Sequence, residues 1–145
     1  MINSFENYVK GGDVKRKTPD MIEASSLFYR AVARLSYAKL SRMDPGNAVF
    51  IFEDAYEAVR ESAQALMSAK GFKPYSHEAT ISFIKEFYGK QFNEGEIFLF
   101  DRFRQLRNDS VYRAADVSIE DAASVIAFAE KFIARVKPLL PSLES

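Results

Sequence analysis

Apolar residues in this chain recur at three- and four-residue intervals, the period of amphipathic helices, and nowhere hold the alternation of a half-buried strand. Met21, Phe28, Val32 and Leu35 line one stripe of a helix predicted from residue 19 to about Met43, with Thr18 as N-cap and Pro19 at its first position. "DPGN" makes a turn, and Asn47 is placed to cap a second helix that runs to Lys70. Gly71 followed by Phe72 reads as a left-handed stop, with Pro74 closing it. Ser76 caps a shorter third helix carrying Ile81, Ile84 and Phe87, which ends at Gly89. The polar loop "KQFNEGE" leads into a fourth helix. Ser118 and Asp121 form an acidic variant of the capping box for a fifth, where Ala122, Val125, Ile126, Ala129, Ile133 and Val136 keep helical spacing until Pro138. The predicted fold is all-α: an up-and-down four-helix bundle with one further short helix. All 145 residues are assigned to a single domain, 1–18 as an N-terminal extension and 19–137 as the bundle.

Composition narrows the chemistry. Hydrophobic residues make up 48% and charged residues 28%, which suits a soluble globular chain. The longest apolar runs, "AVFIF" and "IFLF", are too short to cross a bilayer, and the first residues lack the apolar run of a leader. A cytoplasmic protein without membrane attachment is expected. The absence of cysteine removes disulfides, thiolate zinc sites and cysteine nucleophiles. His77 is the only histidine, which removes any site needing two imidazoles from one chain. No glycine-rich phosphate loop or EF-hand loop occurs, and neither a metal nor a cofactor is expected. The formal net charge is zero, so any nucleic-acid contact must come from a local patch.

One such patch lies in the fourth helix, in "RQLRNDSVYR", Arg104 to Arg113. Stepping 100° per residue from Phe100 gathers Ile97, Leu99, Phe103, Leu106 and Val111 around one side. Arg107 falls inside this apolar arc and Arg104 at its edge, whereas Arg102 and Asp109 face the opposite, solvated side. An arginine so placed needs a partner or a wet cleft. The simpler and preferred reading pairs it with an acid of a neighbouring helix, such as Asp54, Glu57 or Glu61; the sharper one aims it at phosphate in a cleft between subunits. Asn108 and Tyr112 share a flank, but Tyr112 sits about 140° around from Arg107 on a regular helix. Asn108, Asp109, Ser110 and Val111 are weak helix formers, so the helix is expected to end or distort among them. Phe98 lies on the flank of Tyr112, and exposed aromatic area there would suit a dimer.

Residues 20–137 resemble the HEPN domains, small all-helical prokaryotic proteins that also occur within larger chains. The resemblance rests on "YEAVRESAQALMSAKGFKPYSHEATISFIKE" and on "RFRQLRNDSVY", together with helix order and length. Active members are metal-independent ribonucleases whose motif is an arginine, a polar residue and, a few positions on, a histidine, two such motifs converging at a dimer cleft. The resemblance maps these roles onto Arg107, Asn108 and Tyr112. The last is a departure, because a phenol with a pKa of about 10 is a poor base at neutral pH.

His77, in the first turn of the third helix, is read as structural and partly exposed, its protonated form opposed by the helix dipole. "KRK", Lys15 to Lys17, reads as a solvated linker, and Arg30 and Arg34 as ordinary surface. Three functions follow from the resemblance. The first is RNA or nucleotide binding at a homodimer cleft through Arg104, Arg107, Asn108 and Tyr112, with little or no ribonuclease activity. The second is a non-catalytic module pairing with a nucleotidyltransferase in a toxin–antitoxin-like system. The third is a metal-independent ribonuclease with Arg107 and Tyr112 as its catalytic pair.

Overall fold

In the computed structural model, residues 2–113 and 116–141 are described, apart from the side chains of 112 and 113. The helices are α1 (Phe5–Lys10), α2 (Met21–Leu40), α3 (Ala48–Lys70), α4 (His77–Tyr88), α5 (Glu94–Arg113) and α6 (Ile119–Val136). The five long segments of the sequence reading are α2 to α6, and the all-α bundle is observed with α4 as its short member. Among the described residues no helix is long and apolar enough to cross a membrane.

Local chemistry explains most boundaries. Asp20, not Thr18, caps α2: its carboxylate accepts from the Glu23 amide at 2.9 Å, one position beyond Pro19. Ser76 caps α4 through the Ala79 amide, and Ser118 with Asp121 completes the reciprocal box of α6. A second reciprocal box, unforeseen, starts α5: Asn93 Oδ1 accepts from the Glu96 amide, and a Glu96 carboxylate oxygen accepts from the Asn93 amide. Gly71 ends α3 at φ 90°, where a Cβ would lie 2.6 Å from the Lys17 carbonyl oxygen.

Two features depart from the predicted pattern. A two-stranded antiparallel sheet joins β1 (Val14–Arg16) to β2 (Phe72–Pro74). Three-residue strands carry too few positions to show an alternation, which is why no strand was legible. This sheet also makes the basic run something other than a solvated linker: Lys15 and Arg16 belong to β1, and Lys17 bonds Ser68 and Glu23. The second departure is in the seam of α2, which buries Ala24, Phe28, Ala31, Leu35 and Ala38, while Val32 is exposed. Alanines let α2 lie close against α3.

The core is aromatic where α3, α5 and α6 meet. Phe52 packs edge-on against Phe103, and Tyr56 against Phe100, so α3 and α5 run antiparallel. Phe128 touches both Phe100 and Phe103, and Phe132 touches Phe92 and Phe100. At the other side Phe5 of α1 packs against Phe72, Phe83 and Phe87. Arg34, expected at the surface, instead donates through Nε to Glu61 at 2.6 Å, and Arg30 lies 3.7 Å from the same carboxylate. Glu61 is only 3% exposed, and burying a carboxylate at that depth is costly without such partners.

Candidate functional site

Helix α5 does not end among its weak helix formers. It continues through Asn108, Asp109, Ser110 and Val111 to Arg113, because packing of its first turns outweighs a few tenths of a kcal/mol per residue of propensity, about 0.7 at most. Its core-facing stripe emerges from the bundle as it goes. Phe100 is fully buried, Arg104 is 11% exposed at its side chain, Arg107 is half-buried and Val111 is 46% exposed. Arg107 thus stands where the apolar arc reaches solvent, which resolves the paradox of a cation inside it. Arg102 and Asp109 are exposed, as the wheel requires.

The preferred ion-pair reading of Arg107 is overturned. Among the described residues it makes no ion pair, and its guanidinium contact is Nη1 to Asn108 Oδ1 at 3.4 Å. The three acids named as partners are engaged elsewhere: Asp54 with Arg34, Glu61 with Arg34 and Arg30, and Glu57 with Arg60. Arg104 is bound on both sides, by Asp101 at 2.7 Å and by Glu78 at 3.5 Å. Its guanidinium fixes α5 to the first turn of α4, where the Tyr8 hydroxyl also donates to Glu78 at 3.4 Å. The regular course of α5 leaves the position of Tyr112 about 140° around from Arg107, so one chain does not bring that pair to a common face. The side chain of Tyr112 lies outside the described residues.

What the fold brings near Arg107 comes from other helices. The Tyr56 hydroxyl of α3 lies 2.9 Å from His77 Nδ1 at the start of α4, with the two rings 5.7 Å apart. Burial raises the pKa of Tyr56 above the usual phenol range, outweighing nearby Arg60, Arg104 and Arg107, so it stays a neutral hydroxyl. His77 is pulled down from 6.5 to about 4, first by burial and then by the guanidiniums of Arg60, Arg107 and Arg104, with Glu57 opposing them. The ring is therefore neutral at pH 7. Burial pushes the Glu57 carboxyl up, but the hydrogen bond and charge of Arg60 prevail and hold it below the ordinary value. Arg60 also donates to Gln64 at 2.9 Å.

The site is thus a junction of α3, α4 and α5 with Tyr56, Arg60, His77, Arg104 and Arg107 around it. Arg60 and Arg104 are matched by carboxylates, and Arg107 supplies the surplus positive charge. Sequence reasoning found Arg104, Arg107 and Asn108 but passed over Tyr56 and Arg60. Their signal was "YEAVR", an aromatic hydroxyl and an arginine four apart on the face of α3 that also carries Phe52, Val59 and Ala63.

A helical bundle with a guanidinium cluster where α3, α4 and α5 meet defines the class of protein: a small all-α domain. The family model described as the HEPN domain matches residues 24–139, and the chain belongs to the HEPN family. Membership carries an RNA- or nucleotide-related role, and domains of this family commonly dimerise. A comparison with curated proteins finds no match.

Proposed function

We propose that this HEPN protein binds a phosphate of RNA or of a nucleotide at the junction of α3, α4 and α5, with Arg107 as the principal cation. Arg104 and Asn108 orient Arg107's helix and side chain, and cleavage of the bound strand is weak or absent. The observation that carries the reading is the half-buried Arg107 guanidinium without a carboxylate partner among the described residues, on the stripe of α5 that leaves the core. A semi-buried cation of this kind is favourable when an anion completes it. The weak-nuclease half of the reading rests on Tyr112, which lies off the Arg107 face and belongs to a residue type with pKa near 10. The site forms between two copies of the chain, so that two Arg107 residues face one strand.

The test is binding of a short single-stranded RNA across a salt series. Affinity falls with salt, and Arg107→Ala reduces the log–log salt slope by about 0.7 per subunit and weakens binding roughly tenfold. Absence of binding at low salt in the intact protein overturns the reading. Metal-independent cleavage lost in both Arg107→Ala and Tyr112→Phe would replace it with a ribonuclease.

A further inference from the structure

The imidazole absent from α5 has a counterpart on another helix. His77 is the only histidine in the chain, and it lies at the first residue of α4, next to Glu78, which Arg104 binds, and within the electrostatic reach of Arg60 and Arg107. Three geometric facts fix it there. Tyr56 Oη holds Nδ1 at 2.9 Å. Tyr56 is itself wedged edge-on against Phe100, one turn before Arg104 on the core stripe of α5. Arg104 ties α5 to Glu78, the residue after His77. The ring is therefore positioned by α3 and α5 together, not by a mobile loop. It is half-buried, and Nε2 makes no hydrogen bond among the described residues.

A hydroxyl both donates and accepts. Tyr56 donates to Nδ1 of a neutral ring and accepts from Nδ1–H of a protonated one, so the anchoring bond survives either state. Nε2 is left for a ligand in both. We propose that His77 is the imidazole of the Arg107 site: Nε2 hydrogen-bonds a phosphoryl oxygen seated against Arg107, and the ring takes up a proton from solvent as that anion binds. Tyr56 is the positioning residue that holds it.

The charges facing His77 make the coupling directional. From α3 come Arg60 and Glu57 beside the neutral Tyr56; from α5 come Arg104 and Arg107; and Glu78 follows it on α4. In the free protein partial burial first, and then the guanidiniums, keep the imidazole neutral. A phosphoryl anion cancels part of that positive potential and adds an acceptor for Nε2–H, and both changes favour the imidazolium. Binding then tightens as pH falls.

The inference rests on the proposed phosphate site, and one experiment separates the two. Because the chain has a single histidine, its imidazole carbon-bound protons are single resonances in a proton NMR titration. The intact protein is titrated from pH 3.5 to 8 alone, with inorganic phosphate, with a nucleoside 3′-monophosphate, and with a short oligoribonucleotide. Alone, the midpoint is expected near 4. With ligand it rises by one pH unit or more, a change that corresponds to about tenfold tighter binding to the protonated protein. A rise with inorganic phosphate identifies the phosphoryl group as sufficient; a rise confined to the nucleotide or RNA shows that the sugar or base helps seat it. Arg107→Ala abolishes the rise. Tyr56→Phe, which keeps the packed ring and removes the anchor, weakens binding several-fold at pH 6 while His77→Gln removes its pH dependence. Binding by every other readout with an unmoved His77 midpoint overturns this inference and leaves the phosphate site standing. Failure of all three probes to bind at low salt overturns both.

Discussion

Held neutral by burial and by three nearby guanidiniums, His77 makes this protein's stability sensitive to mild acid. Its folded pKa, about 4, lies below the 6.5 of an unperturbed histidine, so the unfolded chain binds the extra proton first as pH falls. The contribution is complete above about pH 6.5 and is lost between there and about 4. For a half-exposed ring, after solvent screening, it is on the order of 1–2 kcal/mol. Glu57 and Glu96 have lowered pKa values and lose their contributions in the same direction, but in a lower window, below the ordinary carboxylate value of 4.5. Thermal melts from pH 7 to 5 should therefore show a decline that His77→Gln flattens; an unchanged decline in that variant would assign the effect to other groups. The residue scale is also where the sequence was least legible. Arg107 stood out because a wheel needs only one helix. His77 did not, because its significance depends on Tyr56 and Arg104, which reach it through the packing of three helices and follow no local spacing.

At the scale of elements, the caps and stops were largely readable, since Ser76, Gly71 and the Ser118–Asp121 box each act within a few residues. The end of α5 was misread for the opposite reason: weak propensity over four residues yields to tertiary packing earlier in the helix. The N-terminal segment, an extension by sequence, is part of the fold: α1 and β1 contribute Phe5, Tyr8 and Val14 to the buried interior. Tyr8 reaches Glu78, so the segment also braces the turn that carries His77. Phe5→Ala should cost about 3–5 kcal/mol in chemical denaturation, because its ring fills a pocket among Phe72, Phe83 and Phe87. A loss below about 1 kcal/mol would show that α1 is not part of the cooperative unit. The fold class itself was legible in full: five helical periods with short connections leave few arrangements other than a bundle.

For the whole molecule, a half-buried guanidinium without a carboxylate partner among the described residues is a small electrostatic footprint in a chain of zero formal net charge. A second copy doubles it if the two Arg107 residues meet. The surface available for such a meeting is constrained by the helix. Val111 is 46% exposed and lies about 40° from Arg107 on α5, whereas Phe98 is 61% exposed but about 180° away. A dimer formed across the Phe98 flank would hold its two Arg107 residues apart; one formed across the Val111 face would bring them together. The proposed site therefore requires the second arrangement. Sizing at micromolar concentration should give a dimer that Val111→Glu converts to monomer and Phe98→Glu leaves intact, because a charge at the centre of a desolvated contact costs several kcal/mol and one outside it costs little. The RNA salt slope should halve in Val111→Glu along with the mass, linking assembly to phosphate contact count. A wild-type monomer, or a dimer broken by Phe98→Glu alone, would exclude the shared site and confine Arg107 and His77 to a pocket within each chain.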